Sequence, residues 1–180
     1  MKVLFSLLLS FGILSGVFAQ EQALPASKIM DDAYAQAAKE NKLVFLMFHA
    51  SWCGWCHRMD SLMNTPATKP LFSKYFVVTH LVTGENGPKK VLDNPGANEL
   101  MIKYNGDKQG IPYWVFLTPK GKLLSDSRMP AKDKKTGKKI MANTGCPAQA
   151  DEVAYFVKLL KKTTSLNETE LALIAKVFTK

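Results

Sequence analysis

The chain has 180 residues, of which 24 are lysine or arginine and 15 are aspartate or glutamate, so its formal net charge is +9. Its length suffices for one domain with a hydrophobic core, and its three cysteines are too few for a small secreted domain held together by disulfides. Much of the basic excess lies in residues 132–139, which contain no aromatic side chain; this composition favours a solvated loop and disfavours nucleic-acid binding.

The first 19 residues have the pattern of a secretory signal. Lys2 supplies the positive start, residues 3–17 are apolar apart from serine and glycine, and Ala19 offers a small residue for cleavage before Gln20. The apolar stretch is shorter than the roughly 20 residues that a membrane anchor needs. We therefore expect a signal peptide over residues 1–19, a single domain over residues 20–180 without a membrane span, and a periplasmic or secreted location.

Helix and strand patterns alternate through the first half of this domain. Ser27 can cap a helix, and the continuous apolar run that begins at Leu43 is typical of a strand buried on both faces. The helix that begins at the cysteine pair must end before Pro66. The predicted elements are helix 28–41, strand 43–49, a helix from residue 53, one or two helical turns within 67–74, and strand 75–82.

The second half contains a predicted hairpin and two closing helices. Its elements are a loop over 84–96, helix 97–104, strand 110–118, a turn at 119–122, strand 123–127, a basic loop over 129–147, and helices 149–162 and 167–179. The first strands form a crossover βαβ unit and the last two form a hairpin. This order predicts an α/β fold with a central mixed β-sheet and helices on both faces.

Cys53 and Cys56 are separated by two residues and followed directly by His57. Three kinds of site use such a pattern. A reversible dithiol is favoured here, because the pair enters a helix straight from a buried strand. A c-type haem site would use the same cysteines with His57 as an axial ligand. A copper or zinc site would combine the pair with His57 or Cys146.

For a dithiol, the position of each sulfur predicts its role. Unpaired N–H groups and the positive end of the dipole at a helix start favour an anion. This predicts a lowered pKa for the Cys53 thiol, within the roughly 3.5–7.5 range seen in such motifs. Cys56 lies one turn deeper, so Cys53 is the predicted nucleophile and Cys56 the residue that resolves the mixed disulfide.

Residues 42–124 resemble the thioredoxin superfamily, and within it the exported thioredoxin-like branch. Two segments carry the resemblance: residues 48–56 (FHASWCGWC), and residues 110–116 (GIPYWVF) with the hairpin residues 121–124 (GKLL). The resemblance implies a thioredoxin-like fold, here with an extra C-terminal helix, and a protein-disulfide oxidoreductase that needs no cofactor or metal. Two positions depart from thioredoxin: Trp55 replaces a proline, and Met47 replaces a buried acidic residue thought to help deprotonate the second cysteine.

The resemblance also implies a client-binding surface beside the cysteines. A cis bond before Pro112 would turn the N–H and C=O of Ile111 outward, where they would pair with an extended client segment. Trp52, Gly54 and Trp55 flank the nucleophile, and we expect Trp55 to offer exposed apolar surface.

His57 and Cys146 are candidate modulators. His57 lies on the same helix side as Cys53 and would favour the thiolate, although a solvated helix residue is the commoner case. The strand directions send the loop over 129–147 out on the active-site edge, where Cys146 would lie near the substrate groove. The alternative for Cys146 is an inert, buried free thiol.

These observations predict an exported thiol–disulfide oxidoreductase that exchanges electrons with cysteines of other exported proteins. A redox partner would recycle its dithiol, and the isoleucine before Pro112, as in thioredoxin, favours the reductive direction. The alternatives are a copper or zinc delivery protein on the same fold, or a c-type haem protein. The strand before the motif opposes the haem alternative, because such cytochromes are mainly helical.

Overall fold

The computed structural model of the protein describes residues 23–179; the predicted signal peptide over residues 1–19 lies outside this range. The described helices and strands are α1 (Ala26–Glu40), β1 (Leu43–His49), α2 (Gly54–Met63), α3 (Lys69–Tyr75), β2 (Phe76–Val82), a 3₁₀-helix (Gly87–Leu92), α4 (Ala97–Lys103), β3 (Tyr113–Leu117), β4 (Leu123–Asp126), β5 (Arg128–Lys132), β6 (Lys139–Asn143), α5 (Ala150–Thr163) and α6 (Glu168–Phe178). None of the helices within residues 23–179 has the length and apolar character that crossing a bilayer requires.

Strand β1 is the centre of the molecule, and its side chains divide the core in two. Side chains alternate across a strand, so Phe45 and Met47 pack on one face with the buried residues of α2, α3, α5 and α6. Val44, Leu46 and Phe48 pack on the other face with α1 and α4. This two-sided burial explains why β1 is an unbroken apolar run. The predicted α/β fold with helices on both faces of a central sheet is confirmed.

The sheet is mixed and has the order β2-β1-β3-β4. Strand β1 is parallel to β2 and antiparallel to β3, which forms a hairpin with β4. Phe48 pairs with Tyr113, so the end of β1 that leads to the cysteines lies beside the start of β3. The Ile111–Pro112 peptide immediately before β3 is cis, as the resemblance implies.

The predicted basic loop over 129–147 is wrong on both sides of its lysine-rich centre, where residues 129–132 and 139–143 are strands. Strands β5 and β6 pair antiparallel as a separate two-stranded sheet, with Arg128 opposite Asn143 and Lys132 opposite Lys139. Asp133 organises the turn, because its carboxylate accepts hydrogen bonds from the backbone and hydroxyl of Thr136. The sequence did not predict this hairpin because its lysines interrupt the alternation of apolar and polar residues by which a strand is recognised.

Two smaller predictions also fail. Helix α1 begins at Ala26 after Pro25, so Ser27 is not its cap; the N–H of Ala26 instead donates to the carbonyl of Pro95 at 2.8 Å. The predicted loop over 84–96 contains the 3₁₀-helix Gly87–Leu92. The two closing helices are present, and the side chain of Asn167 caps α6.

Candidate active site

Cys53 occupies the N-cap of α2 and forms a disulfide with Cys56, with 5.3 Å between their Cα atoms. The N–H of Cys56 donates to the Cys53 Sγ at 3.2 Å. Cys53 is 4% exposed and Cys56 is fully buried, so Cys53 is the more exposed residue of the pair. Its neighbour Gly54 is exposed, and a Cβ added there would meet no atom within 4 Å, which leaves the approach beside Cys53 open.

The turn before Cys53 is held by the segment that follows β2. Ser51 donates from its backbone N–H and from its hydroxyl to the buried Glu85 carboxylate, and the Trp52 indole donates to the Gly84 carbonyl at 2.9 Å. Sequence reasoning missed Glu85. The available signal was an acidic residue just after β2, the parallel neighbour of the strand that leads to Cys53.

A groove of about 320 Å³ lies beside the cis peptide. Its lining comes from three parts of the chain, namely Trp55 of α2, residues 109–112 before β3, and residues 143–146 with the start of α5. A second cavity of about 450 Å³ shares Gly110 and Ile111 with the groove and is lined by Trp52, Gly84 and Met101 among others. Both tryptophans are more than half exposed, at 56% for Trp52 and 55% for Trp55. Ile111 therefore lines both depressions, and each is bordered by an exposed tryptophan.

Asn143 connects two walls of the groove by hydrogen bonds. The sequence did not predict its role. Its amide nitrogen lies 2.9–3.3 Å from three carbonyl oxygens within residues 109–112. Its amide oxygen accepts from the Ser127 hydroxyl at 2.7 Å and from the Gly145 N–H at 3.0 Å. Gly145 has a φ of 59°, a conformation that favours glycine, and its carbonyl accepts from the Trp114 indole at 2.8 Å.

All three histidines of the sequence lie near the start of α2 or the strands beside it. The His57 ring lies 2.9 Å from the Ser51 carbonyl and so stabilises the turn before Cys53. The His80 ring bonds the Asp60 carboxylate at 2.8 Å, and its centre is 5.2 Å from that of His49. Burial lowers the pKa of His49. The modulator role predicted for His57 remains a prediction.

Cys146 lies in the core at 4% exposure, is not in a disulfide, and also contributes to the wall of the groove. Burial raises the pKa of its thiol to about 11, against the opposing effect of the nearby Arg58 guanidinium. A neutral thiol is a poor nucleophile, so this environment matches the inert alternative. A redox role for Cys146 remains a prediction.

The alternative sites can be compared with this geometry. Within residues 23–179, no group of three or more histidine, cysteine, aspartate or glutamate side chains is arranged to hold a metal ion. The predicted copper or zinc site would need His57 or Cys146 beside the pair, but the His57 ring is turned to the Ser51 carbonyl. The haem alternative assumed a mainly helical fold, whereas the motif here follows the central strand of a mixed sheet.

Comparison with known proteins finds similarity to a thioredoxin-like family model and to disulfide isomerases. The family model described as Thioredoxin-like matches residues 26–119. A protein disulfide-isomerase of Zea mays is 27% identical over 106 residues, covering 58% of this chain and 18% of that protein. A protein disulfide-isomerase of Hordeum vulgare is 28% identical over 97 residues, covering 54% and 16%. The chain thus spans less than a fifth of the length of these two relatives. A solved disulphide isomerase from Xylella fastidiosa Temecula1 is 24% identical, with 65% of this chain and 80% of that chain covered and a TM-score of 0.46.

Proposed function

Because the chain belongs to the thioredoxin-like family, we propose that it is a thiol–disulfide oxidoreductase that acts through Cys53 and Cys56. The observation that carries this proposal is the position of the pair. Cys53 caps α2 and is bonded to Cys56 one turn further on. Strand β1, which leads to the pair, ends beside the start of β3, next to the cis peptide and its open groove. A disulfide that served only to hold the fold together would need neither feature.

The helix start supports Cys53 as the nucleophile. In the reduced protein, the N–H groups at the start of α2 would donate to a Cys53 thiolate, as the Cys56 N–H already does to this sulfur at 3.2 Å. Cys56 is fully buried, so an incoming client disulfide would meet Cys53 first. The predicted division of roles between the two sulfurs follows from this difference in access.

The exchange proceeds in two balanced steps. The Cys53 thiolate attacks one sulfur of a client disulfide; a bond forms between these sulfurs, the client S–S bond breaks, and the departing client thiolate takes up a proton. The Cys56 thiol then loses its proton and attacks the Cys53 sulfur, which releases the second client sulfur as a thiol. The client has gained two electrons and the Cys53–Cys56 pair has lost them. The same steps in reverse oxidise a client dithiol.

The segment around the cis bond between Ile111 and Pro112 supports a site for the client backbone. Within residues 23–179, no hydrogen bond in the structure uses the N–H or C=O of Ile111. An extended client segment would pair with these groups as a short added strand. Its neighbouring side chains would enter the depressions bordered by Trp52 and Trp55. Gly54 and Pro112 would leave room for the client sulfur at Cys53.

Cellular location and partners complete the proposal. The signal peptide predicted over residues 1–19 would deliver the domain to the periplasm or the outside of the cell, where disulfides persist. Its clients would be exported proteins that contain cysteines, and a separate redox partner would recycle the pair. Reduction of clients is the favoured direction, on the basis of the isoleucine before Pro112.

Trapping of a mixed disulfide tests the proposal. The Cys56→Ser variant, incubated with a peptide that contains a disulfide, should form a covalent adduct at Cys53 that a reductant releases. Cys146→Ser is the matched control, because it removes a buried sulfur and should not accumulate the adduct. Absence of an adduct with Cys56→Ser, or an adduct that persists in Cys53→Ser, would refute the assigned roles. The reduction potential of the wild-type pair, measured against glutathione, decides the direction.

A further inference from the structure

The hairpin β5–β6 carries an excess of positive charge. Residues 128–143 contain six basic side chains and one acidic one. Arg128 pairs with Asp126 at 2.8 Å, and Asp133 is occupied by the turn it organises. None of the ion pairs within residues 23–179 involves the other five: Lys132, Lys134, Lys135, Lys138 and Lys139.

The hairpin also extends away from the domain. It forms a sheet of its own, and every residue from 134 to 141 is exposed. Ile140 and Met141 are among the exposed large apolar side chains, at 41% and 42%. A two-stranded ribbon has little stability of its own in water. Its five unpaired lysines and two exposed apolar side chains have the composition of a contact surface.

The base of the hairpin forms part of the wall of the groove beside the cis peptide. Asn143, the last residue of β6, bonds the carbonyl of Pro112 at 2.9 Å, and residues 143–146 line the groove together with Trp55. Glu152 also lines the groove, but its carboxylate accepts from the N–H groups of Ala148 and Gln149. A polypeptide bound at Ile111 that continued past residues 143–146 would meet the lysines of the hairpin.

We propose that the β5–β6 hairpin is a docking arm for an acidic segment of the client protein. This inference rests on the proposed function and adds the kind of client that the site prefers. Each strand has five residues, so the lysines near the tip lie about 15 Å from the groove at roughly 3.3 Å per residue. An extended client covers this distance in about five residues. The preferred client therefore carries aspartate or glutamate about four to seven residues from its reactive cysteine.

The test uses matched peptides and a matched pair of protein variants. Each peptide carries one cysteine activated as a mixed disulfide with thionitrobenzoate, and positions four to seven from this cysteine hold four glutamates, four serines or four lysines. The reduced protein releases the thionitrobenzoate, which gives the second-order rate constant from absorbance. The arm variant replaces the five hairpin lysines by glutamine. The control variant loses the same charge at exposed lysines outside the groove lining and the hairpin: K39Q, K69Q, K120Q, K158Q and K162Q.

The wild type and the control variant should react with the glutamate peptide about tenfold faster than with the lysine peptide at low ionic strength. This preference should fade in 1 M salt, where the screening length is only about 3 Å, and should be absent in the arm variant. All three proteins should react equally with the serine peptide. Equal rates for all peptides would overturn the docking arm and leave the proposed function intact. No reaction with any peptide would refute the proposed function itself.

A nucleic-acid ligand is the alternative outcome of the same design. If a labelled single-stranded oligonucleotide bound the wild type and the control variant but not the arm variant, while peptide charge had no effect on rate, the arm would be assigned to nucleic acid and the proposal would be overturned. The hairpin contains no aromatic residue on which bases stack, so the peptide preference is the expected result.

Discussion

Replacing Asn143 by alanine should lower the free energy of unfolding by about 2–4 kcal/mol. Its amide nitrogen faces three carbonyl oxygens within residues 109–112 and has two hydrogens to donate, while its oxygen accepts from Ser127 and Gly145. About four hydrogen bonds are therefore lost, each with a net value of roughly 0.5–1.5 kcal/mol. Asn143 is half-buried, so water replaces part of the lost hydrogen bonds. The expected change therefore stays below the sum of four full hydrogen bonds.

Asn143→Asp separates this explanation from a simple loss of packing. Aspartate has nearly the same shape, but its carboxylate cannot donate and would face the same carbonyl oxygens. At neutral pH it should therefore destabilise the protein at least as much as alanine does. Urea denaturation measures both changes, with Asn98→Ala as the control at an exposed position of α4, where we expect a change within about 0.5 kcal/mol. The reasoning fails if Asn143→Ala unfolds like the wild type, or if Asn143→Asp is the more stable of the two variants.

Three further predictions concern a buried thiol, the aromatic core and the turn before Cys53. Burial raises the pKa of Cys146 from 9.0 to about 11. Between these two pH values the folded state keeps the thiol proton while the unfolded state loses it, so the free energy of unfolding falls as the pH rises. The advantage of the wild type over Cys146→Ala in urea denaturation should shrink by about 2–3 kcal/mol between pH 8 and pH 11; a constant difference would contradict this. Phe156→Ala should cost about 3–5 kcal/mol, because the ring is fully buried among other aromatic rings, whereas the partly exposed Leu173→Ala should cost much less. Glu85→Ala frees the turn at Ser51 and should slow disulfide exchange about tenfold with an unchanged circular dichroism spectrum; an unchanged rate would mean that other contacts hold the turn.

The elements that the sequence predicted well are those defined by neighbouring residues. Strand β1 matches its predicted range because five consecutive apolar side chains are buried, in alternation, in two cores. Helix α2 begins at the cysteine pair and ends before Pro66, since a proline cannot continue a helix. The hairpin β5–β6 was missed because its strands are paired through backbone hydrogen bonds and carry exposed lysines, so no apolar pattern marks them.

The residues of the site divide in the same way, into those marked by a local motif and those that act through distant contacts. The cysteine pair and the cis peptide before Pro112 could be predicted from motifs and the family resemblance, and the exposure of Trp55 from its position beside Cys53. Glu85 and Asn143 could not, because each acts on residues more than 30 positions away. The position of Glu85 just after β2 was a local signal, whereas no spacing marked Asn143, which ends a strand that was not predicted.

The sequence by itself therefore determined the motif: a cysteine pair at a helix start that directly follows a buried strand, because caps, turns and apolar periodicity act over a few residues. Only the tertiary structure decided what surrounds that pair. Pairing of β1 with β3 brings the cis peptide to the end of β1 that leads to the cysteines, and the Asn143 amide anchors a lysine-rich hairpin at the groove beside that peptide. These contacts join residues that are far apart in the sequence, and they form only after the strands have paired. Local sequence patterns therefore do not predict them.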